Sequence, residues 1–339
     1  MAITQYYVDP SINANSGTGT IGDPFGDLQY ALDTVTRDST NGDQFNIKSG
    51  TAEVLTAELD FTTYGTADIG GRLVFAGYSS TANDGGIGVI DGNAGNFRIA
   101  YNVYAVWKDL ELRNSGTADL IGGSSRYSIA INCTFHNCGN VAAWRMRLYG
   151  CNFYDCVYGS SESDSYGCGY FDGSIRNFTR AIGPYNGNVV KGNVVYTAGL
   201  GINGHNSNHN NIVGNSVIST GSYGIRYTGS QAGLQITDNL VEGQYGIQAL
   251  SKDVYNNSVY ASNTAYILTN DAIFDSNETL SASPFEKTGA ATWANAKAYF
   301  APADVGNVRT GAYSSIDGVK GAIGVQAAGG GGSQFHPLG

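Results

Sequence analysis

The chain has little charge, little proline and no long apolar run. Charged residues make up 14% of 339, and their excess is acidic, at a formal −10. A nucleic-acid partner needs a basic face, so that class is excluded. No apolar stretch approaches the roughly 18 residues of a membrane span, so no membrane partner is expected. The opening MAITQYYVDP lacks the basic end and apolar core of a secretory signal peptide. Five cysteines are an odd number, which excludes a complete disulfide framework within one chain. Without a leader they are expected as free thiols made in a reducing cytoplasm. Against 6 prolines stand 48 glycines and 23 tyrosines, with many Asn, Thr, Val and Ile residues. That mixture suits extended strands joined by tight turns. A chain of this length could hold two average domains, but elongated single-domain folds also reach it.

What is present is a repeat. Cys133, Phe135 and Cys138 return as Cys151, Phe153 and Cys156. The same register finds LELRNS from Leu110, GSIRNF from Gly173, NVVYTA from Asn193, NSVIST from Asn215, NLVEGQ from Asn239 and NSVYAS from Asn257. The intervals run 23, 18, 22, 20, 22, 24 and 18 residues. A period near twenty with variable insertions indicates a solenoid, in which no repeat buries its face alone.

Two positions after each start stand Leu112, Phe135, Phe153, Ile175, Val195, Val217, Val241 and Val259, all apolar. The position between is polar except at Val194 and Leu240. Alternation over such short runs means strand. A second apolar mark follows at Ile182, Ile202, Ile225, Ile247 and Ile267. Short strands stacked turn on turn make a parallel β-helix, of about ten rungs between Phe45 and Asn270 at a period of roughly 21. Rungs about 4.8 Å apart stack equal residues on themselves. The repeat starts then form a ladder of Cys133, Cys151, Gly173, Asn193, Asn215, Asn239 and Asn257, whose asparagines can bond rung to rung. Cys133 over Cys151 and Cys138 over Cys156 are expected unbridged, and Cys168 falls on neither stack.

Open β-helix ends must be covered. Leu28, Ala31, Leu32 and Val35 recur at helical spacing after the start signals Pro24 and Asp27, which predicts a capping helix. The segments YYVDPSINANSGTGTIGDPFGDLQYALDTV, GDQFNIKSGT and GRLVFAGYSSTANDGGIGVIDG resemble the N-terminal part of pectate-lyase-like right-handed β-helix proteins. That resemblance implies an all-β, right-handed coil. It divides the chain into an N-terminal strand and capping helix over 1–44, the coil over 45–270, and a C-terminal cap with a glycine-rich tail over 271–339. TWANAKAYF reads as a short helix near that end. The superfamily holds polysaccharide lyases, glycoside hydrolases, and bacteriophage spikes and decorations, so fold alone chooses no function.

Lyases of this class need a base beside calcium-binding carboxylates, and hydrolases need clustered aspartates. Here Glu162 and Asp164 share one serine-rich stretch, while Asp172 and Asp238 sit at turns. GHNSNHNN sets His205 four residues from His209 without a third ligand, so no metal is expected. No nucleophile elbow, phosphate loop or CxxC pattern occurs. One surface stands out. Three positions after each repeat start the side chain should point outward, at Arg113, His136, Tyr154, Arg176, Tyr196, Ile218, Glu242 and Tyr260. His136, Tyr154, Arg176, Tyr196 and Tyr260 are the candidate contacts for a glycan or a partner chain, with Tyr154 and Tyr196 two rungs apart for sugar stacking. The expected function is a bacteriophage structural protein, a β-helical decoration or spike on the virion surface, assembled in the host cytoplasm. It would contact glycans, need no cofactor, and pack as a homotrimer, with other virion proteins holding its tail. The alternative is a polysaccharide lyase or glycoside hydrolase on acidic polysaccharides, with calcium if a lyase.

Overall fold

The computed structural model describes residues 3–12, 15–64, 73–101, 103–122, 128–204, 209–228, 233–249, 253–268, 274–295 and 299–300. His205 and the glycine-rich tail, with its expected contact to other virion proteins, lie outside the described residues.

The corner that makes the coil is written in single residues. Asp109, Asn132, Gly150, Gly167, Gly192, Gly214, Asp238, Asn256 and Ser276 all have φ between 52° and 67°. Glycine, asparagine and aspartate tolerate that left-handed region, and each reverses the chain from one sheet into the next. The residue after each is the ladder position. Asn193, Asn215, Asn239 and Asn257 each accept from the ladder residue before them or donate to the one after, with Asn193 Nδ2 to Asn215 Oδ1 at 3.0 Å and Asn215 Nδ2 to Asn239 Oδ1 at 2.9 Å. Four rungs of buried amide are thereby satisfied without water.

Between those corners run two sheets. One holds twelve strands, from Thr4–Val8 through Asp43–Lys48, Leu73–Tyr78, Ala105–Lys108, Ser128–Ile131, Met146–Tyr149, Asp164–Tyr166, Val189–Lys191, Asn211–Val213, Gln235–Thr237 and Asp253–Tyr255 to Phe274–Asp275. The other runs from Ala52–Val54 through Leu110–Gly116, Thr134–Trp144 and Asn152–Ser161 to Ser258–Leu268 and Glu278–Thr279. Pairing is parallel from Thr4–Val8 on Asp43–Lys48 to Asp253–Tyr255 on Phe274–Asp275. The protein is therefore the expected all-β parallel β-helix. Its rung count differs slightly from the expected ten. Longer strands of the second sheet turn a further corner at a register shift, between Cys138 and Val141 and again between Ser219 and Tyr223. Residues beyond the shift make a third face of the coil.

In-register stacking fills the interior. Phe135, Phe153 and Tyr170 lie ring on ring, 4.7 and 4.6 Å apart and within 4° of parallel. Val195, Val217, Val241 and Val259 continue the column. Here the sequence register fails at two points. Ile175 is 69% exposed, and Tyr170 holds its expected place. The repeat starts at Cys168, not Gly173: Cys151 N donates to Cys168 Sγ at 3.3 Å, and Cys168 N to Asn193 Oδ1 at 2.9 Å. All five cysteines are unbridged and buried, so Cys168 joins Cys133 and Cys151 in the ladder. Ile267 is the other slip, since Tyr266 pairs with Ile247.

At the N-terminal end the helix Leu28–Thr34 plugs the coil, with Leu28, Ala31 and Leu32 fully buried and Asp27 accepting from Tyr30 N at 2.7 Å. Beneath it Glu53 occupies the inner column, in register with Ile90, and accepts from Leu28 N at 3.2 Å. Burial pushes this carboxyl up to about 7, against that one hydrogen bond. At the other end a 3-10 helix spans Trp293–Asn295 within the expected short helix. Residues 280–295, together with Tyr299 and Phe300, form a strap across the outside of the second sheet.

Candidate functional site

The predicted stripe exists and is divided by this strap. Pairing runs Arg113, His136, Tyr154, then Phe171, Tyr196, Ile218, Glu242 and Tyr260. Arg176 is not on it. Because the repeat starts at Cys168, Phe171 takes that place, and Arg176 sits in the following loop, donating its backbone N–H to Asp155 Oδ1 at 3.0 Å. Phe171, Ile218, Val194 and Leu240 are buried under Leu280, Phe285 and Phe300 in a second apolar cluster. Tyr196 packs edge-on against Tyr299 at 5.6 Å, Tyr260 borders the same cluster, and Glu242 holds Lys287 at 2.5 Å and Ser283 at 2.6 Å. That half faces the protein's own strap.

The open half is an ion-paired knot. Glu111 Oε1 lies 2.6 Å from Arg113 Nη1 and 3.0 Å from His136 Nε2, while Arg113 Nε reaches Asp91 Oδ2 at 2.7 Å. The hydrogen bond from His136 holds the Glu111 carboxyl below its ordinary value; burial opposes this and the Arg113 contact adds to it. Burial would raise Asp91, but hydrogen bonds from Asn114, Arg113 and the Asn93 backbone bring it down. His136 stacks on Tyr154 at 4.6 Å and 11°. Register stacking turns the ring faces toward one another along the axis, so a sugar ring cannot slip between them. Arg113 and His136 are thus committed to Glu111 and Asp91, and this knot has little left to offer a ligand.

The third face is different, and the repeat analysis missed it. Outward positions there pair as Tyr101, Gly122, Trp144, Ser161 and Gly183, and along the adjoining corner as Val141, Tyr158, Arg180 and Leu200. Farther along, Asn203 pairs with Arg226 and then Gln248, beside Tyr223 on Tyr245. Each of four rings carries a guanidinium: Arg98 over Tyr101 at 4.3 Å, Arg145 over Trp144 at 4.5 Å, Arg180 over Tyr158 at 5.3 Å and Arg226 over Tyr223 at 5.1 Å. Tyr101 and Trp144 close over Gly122 to 6.2 Å, nearly parallel. Gly183 lets the Arg180 guanidinium lie flat, since a Cβ there would meet its Cζ at 2.4 Å. Asp119 and Glu162 neutralise Arg98 and Arg145, at 3.3 and 2.7 Å. Arg180 and Arg226 instead bond neutral acceptors, Ser161 Oγ at 3.2 Å and Gln248 Oε1 at 3.1 Å. Burial lowers the pKa of Arg180. The result is an aromatic, amide-bearing and locally cationic strip on an acidic protein.

The remaining sequence candidates separate. Glu162 and Asp164 serve different arginines, Arg145 and Arg147. Asp172 caps Phe178 N and Ala198 N, and Asp238 accepts from Asn256. His209 is exposed at a left-handed turn. Among the described residues no group of three or more His, Cys, Asp or Glu is placed to hold a metal ion.

No protein-family model matches the chain, and no curated protein sequence matches it significantly. Solved structures do. A pectate lyase, Pel9A, superposes with a TM-score of 0.55 over 95% of both chains at 14% identity. A rhamnogalacturonan lyase gives 0.44 over 81% of this chain and 86% of its own, also at 14%. A GH136 lacto-N-biosidase from Eubacterium ramulus gives 0.40 over 81% and 67%, at 11%. The likeness is one of fold. The pectate-lyase-like architecture extends over the whole coil, well beyond the N-terminal third that carries the sequence resemblance.

Proposed function

We propose that this chain is a saccharide-binding β-helix whose third face holds a glycan strand along the coil axis. The observation that carries this reading is the row of four aromatic rings each covered by a guanidinium, ending in Arg180 and Arg226 on neutral acceptors. Aromatic faces take the apolar faces of sugars, and guanidinium groups hydrogen-bonded to neutral acceptors take hydroxyl or carboxylate oxygens. The carboxylates flanking the strip, Asp119 and Glu162, are engaged by Arg98 and Arg145, which favours binding over bond breaking. The pectate-lyase-like superfamily that the first third resembles includes phage decorations and spikes, and a place of that kind on a virion surface is the setting proposed here.

Titration calorimetry against neutral and acidic oligosaccharides tests the binding. Trp144→Ala and Tyr223→Ala are each expected to weaken it at least tenfold, about 1.4 kcal/mol. Tyr196→Ala, beneath the strap, should leave it unchanged. Absence of any glycan ligand, or equal losses at Tyr196, sinks the reading. Unsaturated products that form with calcium and vanish in Arg180→Gln would promote the lyase alternative. Mass spectrometry of purified particles tests the virion setting.

A further inference from the structure

The outer side of the twelve-stranded sheet carries a second unexplained surface. Along it two outward columns run in register. One reads Val74, Val106, Ile129, Arg147, Asp164 and Val189. The other reads Ala76, Lys108, Ile131, Tyr149, Tyr166 and Lys191. Ile131 is 37% exposed, and Val74, Val106, Ile129, Tyr149, Tyr166 and Val189 are part-exposed. Parallel sheets ordinarily bury both faces. On the neighbouring sheet, outward Val194, Ile218 and Leu240 follow that rule because the strap covers them. The outward valines and isoleucines of this sheet have the same character and are left part-open.

We infer that a second copy of this chain covers them, the two coils lying side by side with their axes parallel about a two-fold axis. The register carries this choice of occupant. A two-fold parallel to the coil keeps each rung at its own level and exchanges the two columns. Ile129 then faces the partner's Ile131, Lys108 faces Val106, and Lys191 faces Val189. Arg147, only loosely paired with Asp164 at 3.8 Å, faces the partner's Tyr149, and Asp164 faces Tyr166, whose ring stacks on Tyr149 at 5.1 Å. No like charges meet at any rung, a guanidinium meets a ring, and a carboxylate meets a phenol hydroxyl. Equal rung spacing on both sides matches ridges along the whole contact. Gln44, Asn46 and Ala76 are already buried within the chain, so the open rungs run over the six strands from Ala105–Lys108 to Asn211–Val213, about 29 Å at about 4.8 Å each. With a width of roughly 15–20 Å, each copy buries on the order of 400–600 Å², at the low end of specific interfaces. An isologous face closes at two copies, whereas a three-fold assembly would need two different faces.

Light scattering after size exclusion, at tens of micromolar chain, should read twice the chain mass. The variant carrying Ile129→Lys and Ile131→Lys should read one chain mass, with circular dichroism unchanged because both side chains already face outward. Oxidising a mixture of Ile129→Cys and Ile131→Cys chains should give a covalent pair, while Ile175→Cys on the far loop should not. A monomeric wild type, a dimer that survives both lysines, or a mixture that fails to cross-link would each overturn the inference.

Discussion

The outer surface of the second sheet is one set of strand positions used in two ways. Toward the N-terminal end they hold Glu111, Arg113, Thr134, Asn152 and Tyr154, which are part-exposed, with His136 buried between Glu111 and Tyr154. Toward the C-terminal end they hold Phe171, Val194, Ile218 and Leu240, and the strap seals them. Register and backbone are the same in both halves. The side chains differ because a parallel strand covered on both sides needs apolar residues at every position, and one covered on a single side needs them at alternate positions. Position on a repeat therefore tells which way a side chain points, but not what it meets there.

The sharpest way to break this comparison is at the strap. Phe300 is fully buried between Phe171 and Phe285, so Phe300→Ala should cost about 3–5 kcal/mol locally. If the strap is a separate small core, hydrogen exchange should rise over 280–295 and at the outward rungs beneath, with the coil's melting temperature nearly kept. A uniform loss of protection through the coil would show that the two cores are one.

Glu53, on the inner side of the same sheet, sharpens the contrast with outward Glu111. The folded protein holds the Glu53 proton up to about pH 7, while the unfolded chain releases it near 4.5. The native state binds the extra proton between those values, so stability falls as pH rises through that window, by about 3 kcal/mol at most. Urea unfolding should show this slope in the wild type and lose it in Glu53→Gln. Glu111 has the opposite sign: its lowered folded pKa contributes stability that is present above the ordinary carboxylate range and lost on acidification.

A smaller effect belongs to His136. His136→Ala removes the Glu111 contact and the Tyr154 stack, and should cost about 1–2 kcal/mol by denaturant melts. No change would mark the knot as solvated decoration. Smallest is Lys287→Ala, which breaks a part-exposed ion pair on the strap and should cost under about 1 kcal/mol, less at high salt. A larger loss would mean that charge rather than apolar packing holds the strap.

Much of this was legible in the chain. Val194 and Leu240 broke the alternation, and both are seats of the strap. The ladder, the unbridged thiols and the capping helix all follow from spacing. The slip at Gly173 came from an insertion: Cys168 follows Cys151 after only 17 residues, and the next rung waits 25 more, so an averaged period chose the wrong start. The third face was hidden for a related reason. Its strands begin after a register shift, so Trp144, Tyr158, Arg180 and Arg226 keep no constant distance from the repeat start.

By itself the sequence determined the coil, because alternation and left-handed turn residues act within a few neighbours and repeat at every rung. Only the tertiary structure decided which outward residues are free. Tyr101 meets Trp144 across the intervening rung at Gly122, and Phe300 meets Phe171 from 129 positions away. Such encounters depend on how insertions of unequal length bring distant rungs and the returning chain together, and no local pattern encodes that distance.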